Sequence, residues 1–178
     1  IQIEKTVKDN MKGLSSHEMD AEFQIYHESY TDFDKAPEWQ KDNITTNNQG
    51  IATTKELPLG KYVVSQTRAG DKIALSKDLS VEITADYQTV SMPVENVMQK
   101  GKIEILKADL NENPIPGAVF TLRASEDIYG VENILIHQRG ELVCTLISGN
   151  DGLTTTDWLY PGKYNLEEII SQKGYYPP

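Results

Sequence analysis

The sequence has little of what most enzyme active sites require. It contains one cysteine, Cys144, and three histidines, His17, His27 and His137. A single cysteine excludes an internal disulfide and any CxxC metal or redox site. No two histidines have the spacing of metal ligands, and neither a glycine-rich phosphate loop nor a nucleophile-elbow motif occurs. We therefore expect no zinc site, no Ser-His-Asp catalysis and no cofactor.

Positive charge is also scarce. Asp and Glu outnumber Lys and Arg by 27 to 17, which gives a net charge of −10. Because phosphate binding needs clustered positive charge, nucleic acid is not an expected partner. No segment approaches the ~18 consecutive apolar residues of a membrane span, so no membrane insertion is expected of this segment.

Two isolated features could suggest chemistry, but each has a simpler interpretation. The flanks of Cys144 have the pattern of a strand, which predicts a small buried apolar role for the thiol and makes a catalytic role the weaker alternative. The acidic run from Ser29 to Asp34 lacks the glycine and the final glutamate of a calcium-binding loop. We expect no metal at either place.

An internal repeat appears when the sequence is compared with itself. Three blocks of one half match three blocks of the other in the same order, two of them at an offset of 102 residues and one at a slightly shorter offset. The pairs are Ile1–Lys5 with Ile103–Lys107, Ala21–Ile25 with Ala118–Leu122, and Asn48–Thr67 with Asn150–Ile169. The repeat predicts two tandem domains, residues 1–99 and 100–178.

Both repeats have the pattern of β-structure. Apolar residues alternate with period two, as in Val81 and Ile83, and turn-forming stretches such as Asn113–Gly117 separate the alternating segments. The best helix candidate is short, around Pro37 to Lys41. Several short strands per ~100 residues predict two all-β sandwiches in tandem.

The repeat also bears on the end of the chain. Pro178 aligns with Ser76, yet the first domain continues beyond Ser76 through two strand-like stretches, Leu79–Thr84 and Thr89–Val97. We therefore expect the second domain to lack its C-terminal strands within this sequence.

A lysine ends the apolar face of the first strand in each repeat. Counting by twos from Ile1 and Ile3 brings Lys5 to the same face, and the matching strand of the second repeat does the same for Lys107. A lysine that points into a sandwich core is costly unless it is paired or neutralised.

Two further polar residues are expected to face inward. In the stretch from Tyr164 to Glu168, alternation turns Tyr164, Leu166 and Glu168 inward and Glu167 outward. Asn96 ends the last apolar strand of the first repeat. Lysine, carboxylic acid and asparagine together can form a spontaneous isopeptide bond. Burial favours the neutral amine, and a protonated acid can polarise the amide and move protons as ammonia leaves.

The sequence resembles the Cna protein B-type, SpaA-like repeat domains of Gram-positive surface adhesins and pilins. The matching stretches cover most of the second domain: Gly101–Asp109, Ile115–Leu122, Asn150–Gly152, Leu159–Glu168 and the tail Lys173–Pro177. The resemblance implies a transthyretin-like, immunoglobulin-like β-sandwich. It also implies a reactive lysine at Lys107, a catalytic glutamate at Glu168, and an asparagine that would lie beyond Pro178.

The first domain resembles the family less closely. The reactive lysine falls on Lys5 and the asparagine on Asn96, but the position of the glutamate holds Gln66. A glutamine cannot shuttle protons, so a Lys5–Asn96 bond needs a substitute acid nearby. The alternative is a hydrogen bond between the lysine and the amide, without a covalent bond.

The resemblance implies a structural and adhesive function. The chain is expected to form stalk or display modules of an extracellular, cell-wall-anchored Gram-positive surface protein or pilin, with no enzymatic turnover beyond autocatalytic cross-linking. Expected partners are an unidentified host or cell-surface ligand and neighbouring pilin subunits. The alternative is a carbohydrate-binding or accessory module of a secreted enzyme, for which Trp39 and Trp158 are candidates. A free-standing enzyme is disfavoured because no catalytic set is evident.

Overall fold

The computed structural model describes residues 1–170, in which strands and turns dominate and the predicted all-β class is confirmed. The chain divides into two units, Ile1–Met98 and a second that begins at Gln99. Within residues 1–170, three single-turn 3₁₀ helices interrupt the strands: Phe33–Lys35, Glu38–Gln40 and Val131–Asn133. Among the described residues, no helix is long and apolar enough to cross a membrane.

Eight strands form the first unit. They are β1 (Gln2–Asp9), β2 (Leu14–His17), β3 (Glu22–His27), β4 (Lys41–Thr45), β5 (Ile51–Thr53), β6 (Gly60–Arg68), β7 (Leu79–Ile83) and β8 (Ser91–Val97). One four-stranded sheet has the order β4-β3-β6-β7, and the other is built around β1. In the second sheet β1 pairs in parallel with β8, while β2 and β5 pair antiparallel with its two halves. The first and last strands of the unit therefore lie side by side.

The core of the first unit lies between the two sheets. Ile3 and Val94 come from the β1 sheet and pack in one cluster with Phe23, Tyr62 and Val64 from the other sheet. Along β1 every second residue is buried, as alternation predicts. The last three residues of this buried series are Lys5, Val7 and Asp9. The buried face of β1 is therefore apolar at its start and includes the charged residues Lys5 and Asp9 further along.

Seven strands form the described part of the second unit. They are β9 (Glu104–Leu106), β10 (Val119–Ala124), β11 (Ile128–Tyr129), β12 (Leu135–His137), β13 (Leu142–Ile147), β14 (Leu153–Thr155) and β15 (Tyr164–Ile170). The strands β13-β10-β15 form one sheet, β14 pairs with β9, and β11 pairs with β12. Phe120 and Leu146 form a core cluster against which Ile105 packs.

The sequence repeat is also a repeat of tertiary hydrogen bonds. The Tyr62 hydroxyl donates to the carbonyl of Pro58 at 2.9 Å, and the Tyr164 hydroxyl donates to the carbonyl of Tyr160 at 2.7 Å. Burial raises the pKa of both tyrosines. The two tyrosines thus have a packing role.

A glycine lies against the reactive-lysine position in each unit. The amide of Lys5 donates to the carbonyl of Gly50 at 2.7 Å, and that of Lys107 donates to Gly152 at 2.9 Å. Both glycines have positive φ, +71° and +76°. A Cβ at either glycine would collide with the carbonyl oxygen of its lysine. Only glycine lets the turn approach the lysine backbone this closely.

The predicted burial of one side chain is wrong. Leu166 was expected in the core, yet it is 43% exposed, whereas its repeat counterpart Val64 is 1% exposed. Val64 packs in the cluster that includes Val94 of β8. Within residues 1–170 no strand of the second unit takes the place of β8, so Leu166 does not receive that cover.

The close approach at Gly50 predicts an unusually costly substitution. Gly50→Ala should destabilise the first unit by about 3 kcal/mol, because backbone strain adds to the collision with Lys5. Gly13 is the matched control, since it has a similar φ of +68° but nothing within 4 Å of its Cβ position. Gly13→Ala should cost about 1 kcal/mol. Urea unfolding followed by Trp39 fluorescence in a Trp158→Phe background measures both, and equal costs would contradict the packing argument.

Candidate functional site

Lys5 is the largest buried charged side chain of the first unit. It is fully buried on β1, and its Nζ donates to the carbonyl of Thr6 at 2.6 Å. Burial lowers the pKa of Lys5, and this shift is only partly offset by the negative charges of Glu18 and Glu95. The neutral amine, which is the nucleophilic form, is therefore favoured relative to an exposed lysine.

Glu18 is the carboxylate that meets this amine. Its Oε2 lies 2.5 Å from Lys5 Nζ, and its side chain is 6% exposed. The backbone explains the contact: Glu18 follows β2 directly, and its amide donates to the Lys5 carbonyl at 3.1 Å. The two residues are therefore cross-strand neighbours. The other carboxylate oxygen, Oε1, accepts a hydrogen bond from the Gly70 amide.

The sequence did not predict the role of Glu18. The alternation pattern identifies the face of β1 but not its register with the following strand, and the turn between β1 and β2 lies where the two repeats differ in length. One signal was available: a buried lysine is costly without an acid nearby, so an acidic residue in contact with Lys5 was to be expected.

Asn96 and Gln66 complete the buried polar group. Asn96 is 3% and Gln66 4% exposed, and Asn96 Nδ2 donates to Gln66 Oε1 at 2.8 Å. Gln66 Oε1 also accepts from the Ser76 amide, and Gln66 Nε2 donates to the Arg68 carbonyl. The glutamine is thus held on both sides, and it orients the Asn96 amide across the two sheets.

The strand register brings Lys5 and Asn96 to one face. In the parallel ladder, Lys5 pairs with Val94 and Val7 pairs with Asn96, so Lys5 and Asn96 are diagonal neighbours. Diagonal neighbours on one face lie within reach of long side chains. Asn96 Oδ1 is buried and has no hydrogen-bond partner among the described residues. A buried carbonyl oxygen left without a hydrogen-bond partner is costly in a purely structural site.

The second unit places its lysine and acid in contact. Lys107 Nζ donates to Glu168 Oε2 at 2.8 Å, and the side chains are 21% and 5% exposed. Glu168 lies opposite Phe120 in the β10–β15 ladder, while Glu167 is exposed. Lys107 is less buried than Lys5 because, within residues 1–170, β9 pairs with β14 alone. The tail Lys173–Pro177 lies outside the described residues.

The remaining candidates have ordinary structural surroundings. Cys144 is half-buried on β13 against the core cluster, and burial raises the pKa of its thiol. In the acidic run, Asp32 caps the first 3₁₀ helix and pairs with Lys35 at 2.9 Å. Trp39 and Trp158 are 61% and 56% exposed, so both indole rings are accessible at the surface.

The chain is similar to several solved structures, of which the first described below shares its fold. The Bacillus anthracis TIE protein matches 99% of the chain at 24% identity with a TM-score of 0.66. A streptococcal ancillary pilin matches 99% at 20% identity and a TM-score of 0.42, and the shaft pilin SpaA of Lactobacillus rhamnosus GG matches 99% at 17% identity and 0.44. The chain spans 29%, 55% and 89% of these three proteins.

No curated protein sequence matches the chain. A family model does: that of the SpaA prealbumin-like fold domain matches residues 1–98 and again residues 101–177. The two matched segments agree with the internal repeat and with the two units of the structure. The chain therefore belongs to the SpaA prealbumin-like fold domain family.

Proposed function

We propose that the two units are structural modules of an extracellular Gram-positive surface protein or pilin, and that the first is cross-linked by a Lys5–Asn96 isopeptide bond. The observation that carries the proposal is the buried amine of Lys5 on β1, diagonal to the buried Asn96 amide on β8. Family membership supports the structural role. Neighbouring pilin subunits and a cell-surface ligand are the proposed partners.

The reaction is a self-modification without turnover. The neutral Lys5 amine attacks Cγ of Asn96, a carbon–nitrogen bond forms, and the bond from Cγ to Nδ2 breaks. The displaced nitrogen leaves as ammonia, and one of its protons comes from the amine. No oxidant or cofactor is required, since the step exchanges one amide for another.

The position of the bond suits a module that carries tension. β1 starts at the beginning of the first unit and β8 ends at its last residues. A Lys5–Asn96 bond joins these strands covalently, so a pulling force would pass through the bond and bypass the chain between them. Reduction cannot break such a link, unlike a disulfide.

Intact mass tests the cross-link directly. The 178-residue chain should weigh ~17 Da less than its sequence mass, the signature of ammonia loss in amide exchange. Digestion should yield a peptide containing Lys5 joined to one containing Asn96. Lys5→Met and Asn96→Ala should restore the full mass, whereas the matched control Lys107→Met should keep the deficit. Full mass in the unmodified chain would contradict the cross-link.

Single-molecule pulling tests the mechanical role. The cross-linked first unit should hold the segment between Lys5 and Asn96 folded or looped, so no extension from that segment should appear. In Asn96→Ala the same ~90 residues should add roughly 300 Å of contour length, at ~3.4 Å per residue. Equal extensions in the two proteins would show that the bond does not carry the load.

A second function, carbohydrate binding, has one supporting observation. Trp39 is 61% exposed and borders an open groove that is also lined by Lys55, Leu57 and Pro58. An exposed indole beside a groove can stack on a sugar ring.

Glycan-array binding tests this second function. If the groove binds sugar, Trp39→Ala should lose the signal at least tenfold, and Trp158→Ala, which changes the other exposed indole, should keep it. The absence of binding in the unmodified protein would exclude this function for the groove.

A further inference from the structure

We propose that Glu18 is the proton-transferring acid of the first unit, replacing the acid that the second unit carries at Glu168. The inference rests on the proposed Lys5–Asn96 cross-link. It identifies Glu18 as the source of the acid function that Gln66 cannot perform. The two units share one backbone framework but carry their buried carboxylates at different positions in it, Glu18 directly after β2 and Glu168 on β15.

Glu18 and Ile115 occupy the same place in the two frameworks. The Glu18 amide donates to the Lys5 carbonyl at 3.1 Å, and the Ile115 amide donates to the Lys107 carbonyl at 2.9 Å. Each is therefore the cross-strand neighbour of its lysine. Ile115 is 3% exposed, so this position is buried in both units.

A second pair of hydrogen bonds supports the equivalence. The Glu18 carbonyl accepts from the Thr46 hydroxyl at 2.6 Å, and the Ile115 carbonyl accepts from the Ser148 hydroxyl at 2.8 Å. Thr46 and Ser148 are themselves repeat counterparts, each 4% exposed or less. The equivalence of Glu18 and Ile115 thus rests on two independent hydrogen bonds, one made by the backbone amide and one by the backbone carbonyl of each residue.

The position across the core shows the opposite difference, with an amide in the first unit and an acid in the second. Gln66 lies opposite Phe23 in the β3–β6 ladder, and Glu168 lies opposite Phe120 in the β10–β15 ladder. The first unit therefore has an acid beside the lysine and an amide across the core, whereas the second has an isoleucine beside the lysine and an acid across the core. Each unit keeps one carboxylate in contact with its lysine Nζ.

The surroundings of Glu18 suit proton transfer. The Gly70 amide holds Oε1, which leaves Oε2 directed at Lys5 Nζ at 2.5 Å. Moving a proton from the Lys5 ammonium to this carboxylate gives the neutral amine that the attack requires.

The complete step balances without any other reagent. Glu18 takes one proton from the Lys5 ammonium, and the amine attacks Cγ of Asn96. The carboxylic acid then gives its proton to the departing Nδ2, and Glu18 takes the second amine proton as the amide forms. Gln66 acts as a positioning residue, because its Oε1 holds the Asn96 amide in place.

The rate of cross-link formation tests the assignment. In Glu18→Gln the ~17 Da loss should appear at least ~100-fold more slowly, the usual effect of removing a general acid–base group. The double variant Glu18→Ile/Gln66→Glu reproduces the arrangement of the second unit and should restore the loss. Circular dichroism and Trp39 fluorescence check that each variant folds.

The outcomes separate this inference from the proposed function. If Glu18→Gln loses ~17 Da as fast as the unmodified chain, the Glu18 role is overturned and the cross-link stands. A folded Glu18→Ile/Gln66→Glu protein that stays at full mass overturns the exchange of acid positions. Full mass in the unmodified chain overturns the cross-link and the Glu18 role together. If Glu18→Gln does not fold, the double variant decides.

Discussion

The structure of the first unit depends on one constraint: the amine of Lys5 is fully buried in the sandwich core, so it must lose its charge, pair with an acid or react. Several features of the unit meet this constraint. Gly50 lets a turn approach the lysine backbone, Glu18 supplies a carboxylate, and Asn96 presents an amide that Gln66 orients. An apolar residue at this position would stabilise the unit more than a lysine, because it can be buried at a lower free-energy cost. The proposed reaction of the amine explains why a lysine is present.

The topology determines which residues the proposed reaction can join. Since β1 lies between β8 on one edge and β2 and β5 on the other, it contacts both the end of the unit and its own hairpin partner. The long-range neighbour provides the amide, and the local neighbour provides the acid. In the second unit the acid comes instead from β15, across the core. The shared feature is a carboxylate in contact with the lysine amine, supplied from the end of β2 in the first unit and from β15 in the second.

The sequence predicted the parts of this site that depend on alternation. Period-two patterning placed Lys5, Asn96 and Glu168 on buried faces, and the repeat identified Gln66 as the residue at the position of the acid. It did not predict Glu18, because the β1–β2 register is set by a turn whose length differs between the repeats. Leu166 was misplaced for a related reason: alternation gives the direction of a side chain but not whether another strand covers it.

A high-resolution crystal structure of the unmodified chain would show whether Lys5 and Asn96 are covalently joined. We expect continuous electron density from Lys5 Nζ to Cγ of Asn96, with a planar amide bond of about 1.33 Å. The Glu18 carboxyl group should remain within hydrogen-bonding distance of the new amide. Separate density for an intact Lys5 ammonium paired with Glu18, and for an unmodified Asn96 amide, would show that the cross-link does not form.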